Sequence, residues 1–212
     1  MVRNAFLHTA HQARALVAHR EVEANWHQPS ALRELTIGAL AAHLCRSIST
    51  IEACLAVAVT EPTPRLISAD EYYAIATGLT RDIHDDLNTA IRQRSADGAV
   101  DGYGPMIDYV DASIDAVASA LEHEPSTRVV VVFGGSSMLL DEYLVTRLVE
   151  VVVHIDDLAA SIGVDTPELN DVARACVLGT LFAIARRRHG DINVIRALTR
   201  TERSLTPVFP VL

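Results

Sequence analysis

The stretch Met138–Ile162, M-L-L-D-E-Y-L-V-T-R-L-V-E-V-V-V-H-I-D-D-L-A-A-S-I, decides how this chain is read. Leu144, Val145, Leu148, Val149, Val151, Val152, Val153, Ile155 and Leu158 cover almost the whole circumference of a helix built on it. A helix that is apolar all round is a buried one. One polar line interrupts it: Tyr143, Arg147, Glu150, His154 and Asp157, at steps of four, three, four and three, which place the side chains on a single face. A charge in a dry core is costly unless it is paired or binds a metal.

Glu150 and His154 are four residues apart, so a carboxylate oxygen and an imidazole nitrogen can converge on one point. Divalent ions such as zinc accept that mixture of ligands. A third ligand has to come from another buried helix, and His43, beside Leu40 and Leu44, is the best candidate. On these residues alone a hydrogen-bonded core histidine and a buried Glu150–Arg147 ion pair remain open. Arg147 cannot shed its charge and needs an anionic partner: Glu150, another carboxylate, backbone carbonyls, or an acidic group of a ligand. Asp157 is read either as an acceptor that orients a metal ligand or as the partner of an arginine.

Working outward, turn signals divide the chain into further helices. Residues 4–24 read as a first helix, and Trp26–Glu34 as a loop. Thr36 caps a helix from Ile37 to about Thr60, ended by Pro62 and Pro64. Ser68 or Asp70 caps a long segment to about Arg94, and the glycines between Asp97 and Pro105 break the chain before a helix over Met106–Leu121. The β-branched run Arg128–Phe133 suits a short strand, Gly134-Gly135 a turn, and Ser136 or Ser137 the cap of the 138–162 helix. Gly163 ends that helix. Others follow from about Pro167 to His189 and from Ile192 to Thr199, before an extended tail. The expected fold is therefore an all-α, four-helix bundle with extra C-terminal helices and at most a short strand, one domain over residues 1–212.

Composition agrees. Half of the 212 residues are hydrophobic, but aromatics make up only 5%, so the core is Ala, Val, Leu and Ile. A net charge of −9 without a basic stripe speaks against nucleic acid as a partner. Arg186, Arg187 and Arg188 are expected to complement a helix dipole and meet solvent. No apolar run is long enough for a membrane span, no leader is apparent, and three unpaired cysteines suit a reducing cytoplasm. His8 with His11, and His84 with Asp85 and Asp86, read as solvated faces, and Cys45 as a core thiol.

Three stretches carry a resemblance. W-x-x-P-S-A-L-x-x-L-T-I-G-x-L-A-A-H-L (Trp26–Leu44) and D-E-Y-L-x-T-R-L-V-E-V-V-V-H-I-D-D-L-A (Asp141–Ala159) resemble two signatures of the mycothiol-dependent maleylpyruvate isomerase N-terminal family, among the DinB-like metal-binding bundles. R-R-R-H-G-D-I-N-V-I-R-A-L-T-R (Arg186–Arg200) is similar to its C-terminal motif. The resemblance implies a divalent metal, zinc first with nickel or another ion open, on His43, Glu150 and His154. It also implies mycothiol or a similar low-molecular-weight thiol as co-substrate, activated at the metal for S-transfer to, or thiol-assisted isomerisation of, a small-molecule electrophile. Arg147 is the candidate to hold an acidic group of such a ligand. The catalytic residues, the electrophile and a homodimer stay open, as do a metal-dependent hydrolase with Asp157 or Asp111 as base and a non-catalytic metal-binding bundle of a stress response.

Overall fold

The computed structural model describes residues 1–59, 65–76, 84–132, 135–200, 202 and 209–211. Four long helices form a ring around one core: α1 (Val2–Val17), α3 (Ile37–Ala56), α6 (Tyr103–His123) and α7 (Leu140–Ile162). In that ring α1 packs on α7, α7 on α3, α3 on α6 and α6 on α1. Each helix contributes one apolar face. On α1 it is Phe6, Ala10, Ala13 and Val17, on α3 Leu40, Leu44, Ile48 and Ile51, and on α7 Leu144, Leu148, Val151 and Ile155. These side chains recur every three or four residues, which is how a helix assembles a continuous buried stripe. The fold is all-α with additional C-terminal helices, as expected. Among the described residues no helix is long and apolar enough to cross a membrane.

Several boundaries differ from the sequence-based expectation, each for a local reason. The first helix is interrupted at Ala18–His19. His19 takes an extended conformation and its Nδ1 accepts from the Glu21 amide, starting the short α2 (Arg20–Ala24). The α3 helix is capped as expected, Thr36 Oγ1 accepting from Ala39 N at 3.1 Å, but it closes at Ala56, and Pro62 and Pro64 lie outside the described residues. The long third segment is two helices, α4 (Ala69–Ala76) and α5 (Asp86–Gly98), the second capped by Asp85 through the Asn88 amide at 2.6 Å. An internal cap starts a new helix because it satisfies amides that a continuous helix would bond to the preceding turn.

The strand at Val129–Val131 (β1) is present and has a partner that sequence reading did not foresee, β2 (Ser137–Leu139), antiparallel with Val129 opposite Leu139. Ser137 therefore belongs to a strand and is not the cap of α7. The N-cap position is Leu139, with no side-chain cap, and Arg128 O accepts from Leu140 N instead. Gly163 ends α7 in the left-handed conformation (φ 70°), as its residue type suggested.

The remaining helices frame the bundle. Among element pairs, α5 packs on α3, while α4 packs on both α7 and α8 (Asp171–His189), and α9 (Asp191–Thr199) lies on α8. The arginine triplet at the end of α8 does more than meet solvent. Arg186 pairs with Asp191, Arg187 reaches Asp70 on α4 at 2.7 Å, and Arg188 donates to the Val211 carbonyl. In the loop before α3, Trp26 is buried, and a Cβ on Gly38 would lie 2.5 Å from its ring. That contact explains why a glycine stands in the first turn of α3.

Candidate metal centre

Two helices of the ring supply the donors. Glu150 and His154 follow each other by one turn on α7, and His154 Nε2 lies 3.6 Å from Glu150 Oε2. His43 stands on α3 between the fully buried Leu40 and Leu44. Its ring meets that of His154 edge to face, with centroids 4.5 Å apart. One ligand atom from each of the three residues falls within 4.8 Å of the others. That is the scale on which a single ion with bonds of about 2.0–2.2 Å gathers three side chains. The structure thus brings together all three residues singled out as ligands.

Further groups aim each donor. Asp157 Oδ2 lies 3.0 Å from His154 Nδ1, which keeps the proton on that nitrogen and turns Nε2 toward Glu150. Among the described residues Asp157 pairs with His154 and with no arginine. Tyr73 of α4 places its hydroxyl 2.8 Å from Glu150 Oε1 and 3.0 Å from the Thr146 carbonyl, so its single proton is shared between them. On the α5 side, Ser95 Oγ donates to the Ile91 carbonyl and is free to accept from His43 Nδ1 at 3.1 Å. Arg46 Nη2 lies 3.1 Å from that same nitrogen, to which it could donate only if the nitrogen were unprotonated. The two contacts favour opposite tautomers. The one matched to Ser95 leaves His43 Nε2 with its lone pair exposed to the cluster.

The electrostatics suit a cation. Burial, with the neighbouring His154 and Arg46, pushes His43 down to about 3, so its ring is neutral. For Glu150 burial opposes ionisation, but His154 and Arg147 outweigh it and bring the carboxyl down to about 2. Burial also opposes a charged His154, yet Asp157 and Glu150 raise it to about 9. In the chain alone a proton on His154 faces Glu150. Ligation would release it, as metal binding to histidine requires. The donor set of two imidazoles and one carboxylate therefore fits a divalent ion such as zinc.

His43 and Glu150 line a cavity of about 510 Å³, together with Arg46, Arg94, Arg147, Tyr72, Tyr143 and apolar groups that include Leu87 and Ile91. Arg147 departs from expectation. Among the described residues it forms no ion pair within 4.0 Å, with Glu150 or any other carboxylate. Its guanidinium carbon instead lies 5.1 Å from the Tyr143 ring centroid and 5.8 Å from that of Tyr72, and Nε donates to Thr146 Oγ1. Two aromatic faces and two hydroxyls, those of Thr146 and Tyr72, replace the carboxylate because a guanidinium disperses its charge over a plane that stacks.

The other histidine and acid clusters stay apart from this centre. His8 and His11 are exposed, His84 lies 3.8 Å from Glu34, and Asp111 is held by both arms of Arg14 at 2.7 Å. Cys45 is fully buried, and burial pushes its thiol up to about 12. Sequence reading missed Tyr73, Ser95, Arg46 and Arg94. Arg46 had a signal, three residues after His43 and so on the same helix face. Tyr73, Ser95 and Arg94 had none, because they arrive on α4 and α5, whose packing no spacing encodes.

The sequence matches the mycothiol maleylpyruvate isomerase N-terminal domain over residues 6–159, a span that includes most of α1, all of α2 to α6, both strands and nearly all of α7. The similarity noted at Arg186–Arg200 lies beyond it. Comparison with curated proteins and with solved structures finds no match. Because the matched span covers most of the chain and contains His43, Glu150 and His154, this protein belongs to the mycothiol maleylpyruvate isomerase N-terminal domain family.

Proposed function

We propose that this chain is a divalent-metal-dependent thiol S-transferase or thiol-dependent isomerase, with mycothiol or a similar small thiol as co-substrate and a small electrophile as its partner. The observation that carries the reading is three convergent donors, His43, Glu150 and His154, two of which border a cavity of about 510 Å³. Three protein ligands leave a coordination position for an exogenous group, the pattern of catalytic rather than structural sites. Zinc, or nickel or another divalent ion, would supply acidification of a bound thiol, giving a thiolate at neutral pH.

The chain's own residues would do the rest. Asp157, Ser95 and Tyr73 hold the donor atoms in place. Tyr72, Leu87 and Ile91 narrow the cavity around a ligand and displace water from it. Arg147, stacked and without a carboxylate partner, would hold an acidic group of the ligand. The placement of acids favours this reading over a metal-dependent hydrolase. Asp157 is occupied with His154 and Asp111 with Arg14, so neither stands as a base for water. The test is elemental analysis of the purified protein, then cobalt substitution and titration with mycothiol, then a conjugation assay with an electrophile panel. About one ion per chain, a thiolate-to-cobalt absorption band and conjugate formation are expected. An ion without a thiol band would point to the hydrolase, and an ion with no turnover to a binding protein.

A further inference from the structure

The outer face of α8 is apolar and exposed. Its inner side, Ala173, Val177, Thr180 and Ile184, is buried where α8 packs on α1, α4 and α7. On the opposite side run Val172, Ala175, Gly179, Phe182 and Arg186, at steps of three, four, three and four, the spacing of a seam between two helices. Val172 is 39% exposed and Phe182 37%, and a Cβ on Gly179 would meet nothing within 4 Å. Leu178 beside the seam is exposed, as is Phe209, whose ring meets that of Phe182 edge to face. The neighbouring α9 leaves Ile192, Ile195 and Leu198 exposed as well. Apolar surface gathered in this way on two adjoining helices marks an interaction site.

The pattern along the face specifies what covers it. Its N-terminal half is small, with Ala175 and Gly179, and its end is acidic: the side chains of Glu168 and Asp171 are 93% and 95% exposed. Its C-terminal half carries the large Phe182 and ends on Arg186 and Arg187, which stay 60% and 42% exposed although each has an acidic partner in its own chain. Two copies of α8 laid antiparallel about a two-fold axis at Gly179 bring Phe182 opposite Cys176, next to Ala175. The same register sets Arg187 opposite Asp171 and Arg186 opposite Val172. Large then meets small and base meets acid, each of them twice. The helix dipoles run head to tail, and a glycine on the axis lets the two backbones approach closely. Beside Val172 lies a cavity of about 280 Å³, also lined by Asn4, Asn170 and Asp171, polar groups suited to the partner's Arg186. A parallel pair would instead set Phe182 on Phe182 and Arg186 on Arg186.

We infer that the outer face of α8 is the contact of a homodimer, in which two copies of the chain meet antiparallel at Gly179. A two-fold contact requires a surface complementary to itself, and this face has one half that matches the other in size and in charge. His43, Glu150 and His154, on α3 and α7, take no part in it.

The test is sedimentation equilibrium of the full chain from about 1 to 100 μM, a range that brackets the dissociation constant of a small interface. The wild type should reach twice the mass of one chain. Gly179→Glu puts a charge on the axis and should stay monomeric throughout. Position 179 has open space, and glutamate forms helix more readily than glycine, so the variant should keep the circular-dichroism spectrum of the parent. Arg186→Asp should weaken the dimer by about tenfold through its two symmetry-related contacts, and adding Asp171→Arg should restore most of the loss. For the orientation, Gly179→Cys should cross-link to its own copy on mild oxidation, whereas Val172→Cys should give no more cross-linked dimer than the parent. A wild type that stays monomeric, its face then left to a different partner, overturns the inference. So does a Gly179→Glu variant that still dimerises, or cross-linking through Val172→Cys as fast as through Gly179→Cys, which would mean parallel copies.

Discussion

Two adjacent stretches of α7 treat buried polarity in opposite ways. At Glu150–Asp157 the donor atoms are held by partners on three helices: Tyr73 on α4, Ser95 on α5 by way of His43, and Asp157 on α7 itself. One turn earlier, at Tyr143–Arg147, a guanidinium lies against tyrosine rings and has no carboxylate partner within the described residues. The first stretch gathers lone pairs of three side chains within 4.8 Å of one another, as the proposed metal site needs. The second keeps a positive charge available in a cavity shared with Arg46 and Arg94. Opposite preferences one turn apart are what the proposed function, a metal beside a ligand, would require.

The largest expected effect falls on the metal side. His154→Ala should reduce bound divalent metal from about one ion per chain to none in elemental analysis, and His43→Ala should leave only weak binding. Full stoichiometry in His154→Ala would remove the assigned site. Asp157→Asn keeps the shape but loses the carboxylate that orients His154. Metal affinity, read by competition with a chromogenic chelator, should fall by about 10–100-fold. An unchanged affinity would mean that Asp157 only packs there.

On the arginine side, Arg147→Ala tests whether stacking replaces an ion pair. Loss of its aromatic contacts should cost about 2 kcal/mol in urea unfolding. A loss of about 4 kcal/mol or more would mean that the arginine neutralises a buried carboxylate after all. Ser95→Ala removes the acceptor for His43 Nδ1 and should lower metal affinity by about tenfold, at the mild end of such effects. Smallest of all is Arg94→Gln on stability. An exposed side chain without an ion pair should change unfolding by less than about 0.5 kcal/mol. A larger shift would mean that Arg94 is held by the fold.

Much of this was legible in the chain itself. The α7 stripe is a matter of helical period: residues at steps of three and four share a face whatever surrounds them, so Glu150 and His154 had to be neighbours. Thr36 marked the start of α3 because its hydroxyl satisfies an amide close in sequence, and Gly163 marked the end of α7 because it accepts a left-handed backbone cheaply. The need for Arg147 to find a partner was also legible, since its charge cannot be removed. That the partners would be Tyr72 and Tyr143 was half legible, because only Tyr143 lies on the same helix.

The tertiary structure decided the rest. A break at the extended Asp85, where sequence reading expected one long segment, leaves α4 to lean on α8 through Arg187 and Asp70 and carry Tyr73 to Glu150, while α5 packs on α3 and carries Ser95 and Arg94 to the cavity. Ser137 became strand because Leu139 pairs with Val129, a contact across a turn that outweighs its propensity as a cap. Local periodicity and capping act within a few residues and can be read from the chain. Hydrogen bonds between groups 52 and 77 positions apart, Ser95 to His43 and Tyr73 to Glu150, exist only once packing has brought separate helices together.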